Sequence, residues 1–382
     1  MDSRICDMLG IEFPLVAFTH CRDVVVEVSK AGGFGVLGAA GLTPEQLEIE
    51  LNWIDAHIND MPYGLDLIIP NKFAGKGETP TPEEMLAKLP EEHKKFANDI
   101  LRANGIDPGE PDQQFLAQRI RRSHNLTLEG AIAHMDVAFA HPIKLIANAL
   151  GVPPREMLER GRQHGVKVAA LVGAKSHAIN QVQAGVDLLV VVGGEAGGHC
   201  GGVSTMVLVP EIFEAIQDVG DIPILAAGGI VTGRQMAACM AMGASGVWTG
   251  SVWLTTTEAE TAPVVKEKML AASSSDTVRS RSRTGKHSRQ LRSPWTDAWE
   301  QEGAPEPLAM PLQGMISEPA LDKVHKLSEG GHKGAQDLAT YWVGQGVGLM
   351  NASQSVRNVV YDFKQDFIDA YERLAKAVGA ES

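Results

Sequence analysis

The chain has 382 residues, of which 44% are hydrophobic and 5% aromatic, so it is long enough to bury a barrel-sized core with additions. Its formal net charge of −13 argues against general nucleic-acid binding, which requires a basic surface. No apolar run reaches the roughly 18 residues of a membrane span, and the four cysteines lack the spacing of a zinc site or a disulfide framework. We therefore expect a cytoplasmic protein with reduced thiols, no metal site, no nucleic-acid partner and no membrane partner.

Short apolar strands alternate with amphipathic helices along the chain, which is the pattern of βα units and a parallel sheet. Eight strands are recognisable, the number found in an α/β fold of the (β/α)8 barrel type. The fourth strand is the least defined, because Met135–Ala140 is an alternative to Ile143–Asn148. The predicted strands are Pro14–Phe18, Phe34–Leu37, Tyr63–Ile69, Ile143–Asn148, Val166–Val172, Asp187–Val192, Ile222–Ala227 and Gly246–Thr249.

A long segment after the third strand exceeds an ordinary barrel connection. The predicted barrel comprises residues 1–70 and 142–262, and a helical insertion spans residues 71–141 between them. Apolar residues at helical spacing predict helices over Leu89–Ala103 and Gln113–His124. A lid over the barrel mouth, a subunit interface of a homo-oligomer and a surface decoration without a role are the alternatives for this insertion.

Residues 263–382 form a predicted carboxyl-terminal loop and helical extension. Ser273–Pro311 has a loop-rich composition, and the chain ends in a predicted helix over Ser353–Ala377. A basic run stands out in this acidic protein. It is either a solvated loop or a surface that binds the phosphate of a substrate or cofactor. Its members are Arg279, Arg281, Arg283, Lys286, Arg289 and Arg292.

Glycine dominates the segment from Val192 to Gly202, which directly follows the apolar run Leu188–Val191. A glycine-rich backbone can approach a bound ligand closely, because glycine tolerates unusual dihedral angles and adds no bulk. His199 lies within this segment, and an imidazole suits proton transfer near neutral pH. The alternative is a structural turn whose histidine satisfies a local hydrogen bond.

Two further strand ends carry small residues. Gly228-Gly229 follows the strand Ile222–Ala227, and Gly250-Ser251 follows the strand Gly246–Thr249. In (β/α)8 barrels, the loops after the seventh and eighth strands commonly bind a phosphate group. Backbone N–H groups and a small hydroxyl can bind phosphate oxygens without a cationic side chain. The sequence therefore predicts a phosphate site at these two loops.

Three other features carry less weight. Gly33–Gly38 matches G-x-G-x-x-G, but the helix Asp23–Ala31 precedes it and the glycines straddle a strand, which excludes a dinucleotide fingerprint. Cys200 is not expected to be catalytic, because adjacent residues in an extended loop point in opposite directions. His20, just beyond the first strand, is a minor candidate on the active face.

The order of these motifs resembles the nitronate monooxygenase family, formerly called 2-nitropropane dioxygenase. The similarity covers most of the chain apart from the insertion. It rests on Gly193-x-Glu195-Ala196-Gly197-Gly198-His199-x-Gly201, on Ala227-Gly228-Gly229-Ile230 with Gly233-Arg234, on Gly243-Ala244-x-Gly246-Val247 ending in Gly250-Ser251, and on Ala31–Leu37 and Gly344-Gln345-Gly346.

The resemblance implies an FMN-dependent barrel. Gly197 and Gly229 would contact the FMN phosphate, with Gly250 and Ser251 completing its cradle. His199 would be the active-site base or a substrate-binding residue. The remaining cofactor-binding candidates of the same loops are Gly193, Gly198 and Gly228.

The sequence departs from the family pattern at three places. Asp66 stands where the family has a flavin-binding asparagine, and a negative charge there is expected to disfavour the reduced anionic flavin. Ala17-Phe18-Thr19 replaces the family's Ala-Pro-Met after the first strand, and Val192 replaces a glutamine before the glycine-rich loop. These departures bear on the substrate more than on the cofactor.

The resemblance implies the oxidation of alkyl nitronates by dioxygen to a carbonyl compound and nitrite. An alternative within the same fold is an NAD(P)H-dependent FMN reductase acting on a quinone or on an enoyl-CoA or other enoyl thioester. A non-catalytic flavin-binding or phosphate-binding protein is a third interpretation, in which His199 would have no purpose. The expected partners are a small-molecule substrate, dioxygen and, in the alternative, NAD(P)H.

Overall fold

Eight parallel strands close into a barrel, which confirms the predicted (β/α)8 fold. The computed structural model describes residues 1–69, 82–109 and 128–379. The strands follow one another around the barrel in chain order, and the last closes on the first through the pair Leu15 and Val247. They are β1 Leu15–Thr19, β2 Phe34–Gly38, β3 Tyr63–Leu67, β4 Leu145–Asn148, β5 Lys167–Val172, β6 Leu188–Val192, β8 Ile224–Ala227 and β9 Gly246–Thr249. The two-residue strand β7, Gly198–His199, lies outside the barrel.

The strands are mostly apolar on both faces because the barrel buries both. In β6, Leu188 and Val190 join the cluster that fills the barrel interior. Leu189 and Val191 join the larger cluster between the strands and the surrounding helices. Helix α1 closes one end of the barrel, because Ile5 belongs to the interior cluster.

Helices surround the barrel, as the alternation of strands and helices predicts. Thr43 begins α3 with a capping box to Gln46, and Thr232 begins α10 in the same way with Gln235. Within the described residues the α-helices are α1 Arg4–Leu9, α2 Arg22–Lys30, α3 Pro44–His57, α4 Pro82–Ala87, α5 Glu91–Ala103, α6 Leu128–Ala140, α7 Arg155–His164, α8 Lys175–Ala184, α9 Thr205–Ile216, α10 Gly233–Ala241, α11 Pro263–Ala271, α12 Pro294–Glu300, α13 Leu312–Glu329, α14 Lys333–Leu338 and α15 Val356–Ala377.

Both long segments leave the barrel after a strand and return to it as a helix of the surrounding ring. After β3 the chain returns as α6, which packs between α3 and α7. After β9 it returns as α15, which packs between α10 and α2 and completes the ring. The division of the chain into a barrel and two added segments stays a prediction, but α6 and α15 themselves are barrel helices.

The insertion after β3 also packs against the segment between β9 and α15, residues 250–355, which we call the carboxyl-terminal excursion. Helix α5 contacts α13, and the ring of Phe96 meets that of Trp299 edge-on with centroids 4.9 Å apart. His93 Nε2 lies 2.9 Å from the carbonyl oxygen of Glu306. The predicted helix Gln113–His124 lies outside the described residues. The three interpretations of the insertion, as a lid, a subunit interface or a surface decoration, stay predictions.

The structure corrects one predicted segment and decides between the two alternatives for the fourth strand. Ser273–Pro311 is not simply loop-rich, because it contains the strands β10 Thr277–Ser280 and β11 Ser288–Leu291 as well as α12. These strands are too short to give a clear periodic signal. Leu145–Asn148 is the fourth strand, whereas Met135–Ala140 lies within α6. Within the described ranges, no helix combines the length and the apolar character needed to cross a membrane.

Gly233→Ala is expected to lower the stability of the protein, because α10 and α15 touch at this residue. A Cβ atom there would lie 2.0 Å from the carbonyl oxygen of Phe363 and 2.5 Å from the amide nitrogen of Phe367. Overpacking of this kind costs about 1–3 kcal/mol. Thermal unfolding measures the effect against Gly330→Ala, whose Cβ would approach its nearest neighbour only to 3.4 Å. Equal melting temperatures for the two variants would contradict the close helix contact.

Candidate active site

His199 lies on a short strand at the carboxyl-terminal mouth of the barrel. Strand β7, Gly198–His199, pairs antiparallel with β11, and β11 pairs with β10 to form a three-stranded sheet. His199 stands opposite Ser288, and its Nε2 lies 2.9 Å from the Thr284 hydroxyl at the turn between β10 and β11. The carboxyl-terminal excursion therefore supplies both the strand and the hydroxyl that hold this imidazole.

The electrostatic environment favours the neutral form of His199. The residue is exposed, yet the protein around the ring lowers its pKa by desolvation, and the positive charge of Lys286 lowers it further. A neutral imidazole can accept a proton or a hydrogen bond near pH 7. The charge of Lys286, in turn, favours an anion close to His199.

The loops after β6 and β8 are locked together through Thr205, at the start of α9. The Glu195 carboxylate accepts a hydrogen bond of 2.8 Å from the Thr205 amide, and the Thr205 hydroxyl lies 2.9 Å from the Gly228 carbonyl oxygen. A Cβ at Gly193 would lie 2.1 Å from the Thr205 hydroxyl oxygen, and one at Gly228 would lie 2.8 Å from it. Glycine is thus required at both positions for close packing, and Glu195 caps a helix instead of facing a substrate.

A segment near the carboxyl terminus joins these loops to the end of β9. The Gly344 amide donates to the Ser251 hydroxyl at 2.8 Å, and the Gln345 amide donates to the Glu195 carbonyl at 2.9 Å. A Cβ at Gly197 would lie 2.8 Å from the Gly344 amide nitrogen. The loops after β6 and β8, the end of β9 and the segment around Gly344 therefore meet at the barrel mouth.

The arrangement leaves backbone donors and space for an anion. None of the described residues accepts a hydrogen bond from the N–H groups of Gly228, Gly229 and Ile230. A Cβ at Gly250 would come no closer than 4.0 Å to its nearest described neighbour, Phe18, and one at Gly198 would have no described neighbour within 4 Å. Free N–H groups beside open space at a helix-preceding loop suit a phosphate.

Asp66 lies in the barrel interior, and its predicted negative charge is not supported. Its neighbours Leu65 and Leu67 belong to the outer cluster, so strand alternation points Asp66 inward. The side chain is buried, its Oδ1 has no hydrogen-bond partner within the described structure, and burial raises its pKa well above the usual range. Desolvation favours the neutral carboxylic acid, which can hydrogen-bond as an asparagine does but brings no charge to a flavin.

The basic run is not a solvated loop throughout. Arg289 donates two hydrogen bonds, of 3.0 and 2.8 Å, to the Gly194 carbonyl and so clamps the glycine-rich loop. Arg283 is buried, pairs with Glu318 at 2.9 Å and stacks over Trp342 at 4.0 Å. Arg281 and Arg292 pair with Glu306 and Asp297, whereas Arg279 and Lys286 are exposed beside the site.

Cys200 does not show the features of a reactive thiol. Burial raises its pKa above the usual thiol value, and its Sγ lies 3.6 Å from the Gly194 carbonyl oxygen. A raised pKa leaves little thiolate at neutral pH. The expectation against a catalytic cysteine is consistent with these features.

Thr205, Thr284, Arg289 and Gly344 hold the site together, and the sequence indicated no such role for any of them. Thr284 and Arg289 lie in a stretch interpreted as a loop, and their contacts with the glycine-rich loop join residues far apart in the chain. The turn Thr284-Gly285-Lys286 between two short polar strands was the available signal for a hairpin. Gly344 belongs to the resemblance but was given no role.

Comparison with known proteins agrees with the geometry. The sequence model described as nitronate monooxygenase matches residues 2–366. A Mycobacterium tuberculosis protein named as a candidate monooxygenase is 50% identical over 376 residues, covering 98% of both chains. A Staphylococcus saprophyticus protein named "Probable nitronate monooxygenase" is 27% identical, covering 94% of this chain and 97% of that protein.

Solved structures show the same fold. Nitroalkane oxidase from Streptomyces ansochromogenes is 22% identical and superposes with a TM-score of 0.78, covering 97% of this chain and 99% of the other. FabK from Thermotoga maritima is 24% identical with a TM-score of 0.72, covering 99% of each chain.

Lys286→Met is expected to raise the pKa of His199, because it removes the positive charge that disfavours imidazolium. Since the folded protein holds this pKa below its unfolded value, protonation favours unfolding, and stability falls as the pH drops through the histidine range. NMR titration of the histidine ring protons measures the shift. Lys376→Met, an exposed lysine in the last turn of α15, is the control. An unchanged His199 pKa in Lys286→Met would show that the charge of Lys286 does not lower the pKa of His199.

Proposed function

This chain belongs to the nitronate monooxygenase family, and from that premise we propose that it is an FMN-dependent nitronate monooxygenase. It oxidises an alkyl nitronate with dioxygen to a carbonyl compound and nitrite. The proposal rests on one observation, that three features meet at the barrel mouth. They are His199, the open space beside Gly250, and the N–H groups of Gly228 and Gly229, which donate to none of the described residues. An imidazole beside an anion cradle is the arrangement this reaction requires.

The residues present fit a flavin mononucleotide. The free N–H groups at Gly228 and Gly229, together with the open face of Gly250 and the Ser251 hydroxyl, would hold its single phosphate. Gly193, Gly197 and Gly198 shape the adjoining loop, and Asp66 would offer a neutral carboxyl to the ring system from the barrel interior. When bound, the flavin supplies two-electron redox chemistry between the organic substrate and dioxygen.

The protein's own groups bind and orient the substrate. His199 is held by Thr284 on one edge, so the opposite edge of the ring is available to a ligand. Lys286 adds positive charge, which favours an anionic nitronate next to His199. The Arg289 clamp on Gly194 fixes the loop that carries His199, so the imidazole does not have to be ordered when substrate arrives.

A second candidate is an NAD(P)H-dependent FMN reductase that acts on a quinone or an enoyl thioester. Exposed Arg279 and Lys286 are the observation that favours it, because they would suit the phosphates of an acyl-CoA. A Cβ at Gly202 would lie 3.4 Å from Arg279 Nη1, so this cation stands beside the glycine-rich loop. The two candidates differ in the electron donor.

Gly250→Leu is expected to yield folded protein without flavin. The φ of −129° at Gly250 is outside the left-handed region that favours glycine, and the open space beside it would be filled by the leucine side chain. The chromophore released by heating the unaltered protein should be FMN, identified by chromatography and mass. Gly330→Leu, an exposed glycine at the end of α13, should retain flavin. Release of FAD, or full flavin occupancy in Gly250→Leu, would contradict the single-phosphate cradle.

Anaerobic mixing with candidate donors decides between the two functions. Ethylnitronate should bleach the flavin absorbance, and NADH and NADPH should leave it unchanged, because the proposed donor is the nitronate. Readmission of air should restore the yellow colour and release nitrite. Bleaching by NADH or NADPH, with no response to ethylnitronate, would establish the reductase instead.

A further inference from the structure

The Thr284 hydroxyl, which lies beside His199, has three hydrogen-bonding neighbours. Its Oγ1 is 2.9 Å from Nε2 of His199, 3.3 Å from the Lys286 amide nitrogen and 3.3 Å from the Lys286 carbonyl oxygen. The amide can only donate, so it occupies one of the two lone pairs of the hydroxyl oxygen. The carbonyl oxygen can only accept, so it takes the single hydroxyl proton. One lone pair of Thr284 Oγ1 therefore remains for His199.

This remaining lone pair determines the tautomer of His199. It can bind only a donor, so Nε2 of His199 carries a proton. The neutral imidazole is favoured here, because desolvation and the charge of Lys286 lower the His199 pKa. A neutral ring has one protonated nitrogen, so the lone pair of the ring lies on Nδ1. Among the described residues no hydrogen-bond partner occupies Nδ1, and this nitrogen is available to a ligand.

The turn that carries Thr284 is fixed by its surroundings. Gly285, the next residue, has a φ of 84°, and a Cβ there would lie 2.0 Å from the Leu308 carbonyl oxygen. The Gly285 amide donates to the Arg281 carbonyl at 2.9 Å, and the Arg281 side chain donates to the Gly285 carbonyl at 3.0 Å. Glycine is therefore required at this turn, and the hydroxyl is held in place before a ligand arrives.

His20 does not compete with His199 for contact with the cradle. Its Nδ1 lies 2.8 Å from the carbonyl oxygen of Gly38, and its ring meets that of Phe18 edge-on with centroids 5.2 Å apart. Phe18 is also the nearest described neighbour of Gly250, at 4.0 Å. The Phe18 ring therefore separates His20 from the open space beside Gly250.

We propose that Thr284 is a positioning residue that fixes His199 in the tautomer with the proton on Nε2 and the lone pair on Nδ1, so that the substrate meets Nδ1. This assignment rests on the proposed function. With a neutral nitroalkane, the conjugate acid of the proposed substrate, the α C–H bond breaks and its proton goes to Nδ1. The electron pair forms the C=N bond of the nitronate, whose negative charge lies on its two oxygens. The step is neither an oxidation nor a reduction. The imidazolium keeps its hydrogen bond to Thr284 and returns the proton to solvent.

The tautomer tests the proposal without substrate. In full-length protein with ¹⁵N-labelled histidine, NMR should show Nε2 of His199 protonated and Nδ1 unprotonated above the His199 pKa, with His199→Asn used to assign the signals. Thr284→Val removes the acceptor of the Nε2 proton, which should then exchange with solvent about tenfold faster, the effect of losing one hydrogen bond. Thr284→Ser keeps the hydroxyl and should retain the slow exchange. A proton on Nδ1 in the unaltered protein, or equal exchange in Thr284→Val, would overturn the proposal.

Steady-state kinetics test the consequence for proton transfer. Nitroethane must lose its α-proton to the protein, whereas ethylnitronate has already lost it. Thr284→Val should therefore lower kcat/KM for nitroethane by about tenfold more than it lowers kcat/KM for ethylnitronate. Thr284→Ser should restore the ratio of the unaltered protein. Equal losses for the two substrates, or no recovery in Thr284→Ser, would contradict the positioning role.

Lys286→Met is the matched control, because Lys286 acts on His199 through two separate groups. Its backbone amide and carbonyl orient the Thr284 hydroxyl, and its side-chain charge lowers the His199 pKa. This variant should raise the His199 pKa and leave the proton on Nε2. A proton moved to Nδ1 in Lys286→Met would contradict orientation by the backbone.

The outcome for Thr284 is separable from the outcome for the proposed function. A protein that oxidises ethylnitronate but not nitroethane would overturn the assignment of Nδ1 as the proton acceptor. The expected tautomer and its dependence on the Thr284 hydroxyl, in a protein that oxidises neither compound, would support the positioning role and contradict the proposed oxidation.

Discussion

The glycine-rich loop after β6 has too few side chains to hold its own shape, and the rest of the site depends on what holds it. Arg289 binds the Gly194 carbonyl, Gln345 binds the Glu195 carbonyl, and β11 pairs with the strand that carries His199. All three supports come from the carboxyl-terminal excursion. The loop keeps the close backbone approach that glycine allows, while its conformational freedom is restricted from outside.

The barrel and the position of two glycine-containing loops at its mouth could be predicted because their signals are local, whereas phosphate binding by these loops stays a prediction. Each strand is a short apolar run, and the small residues at Gly228-Gly229 and Gly250-Ser251 come directly after two of them. The barrel geometry then places all strand ends at one mouth. His199 could be singled out for the same reason, since it is the imidazole in a glycine-rich segment that follows a buried strand. Its role and the FMN contacts stay predictions.

What could not be predicted depends on contacts between distant residues. The pairing of β7 with β11 joins His199 to Ser288, and the two-residue strand β7 has no periodicity of its own. The protonation of Asp66 depends on its burial, which raises its pKa and which the residue type alone does not reveal. The packing of α15 against α10 and α2 could not be predicted either. The sequence of an amphipathic helix shows that one face is buried but not which surface it covers.

Separate parts of the chain meet at the barrel mouth, where we propose one site for flavin and substrate. A crystal structure of the FMN-loaded protein with a bound nitroalkane tests it most directly. We expect the phosphate against the backbone of Gly229 and Gly250, with His199 facing the nitroalkane above the flavin ring. A phosphate bound outside these loops, or a His199 side chain separated from the nitroalkane by other protein groups, would contradict it.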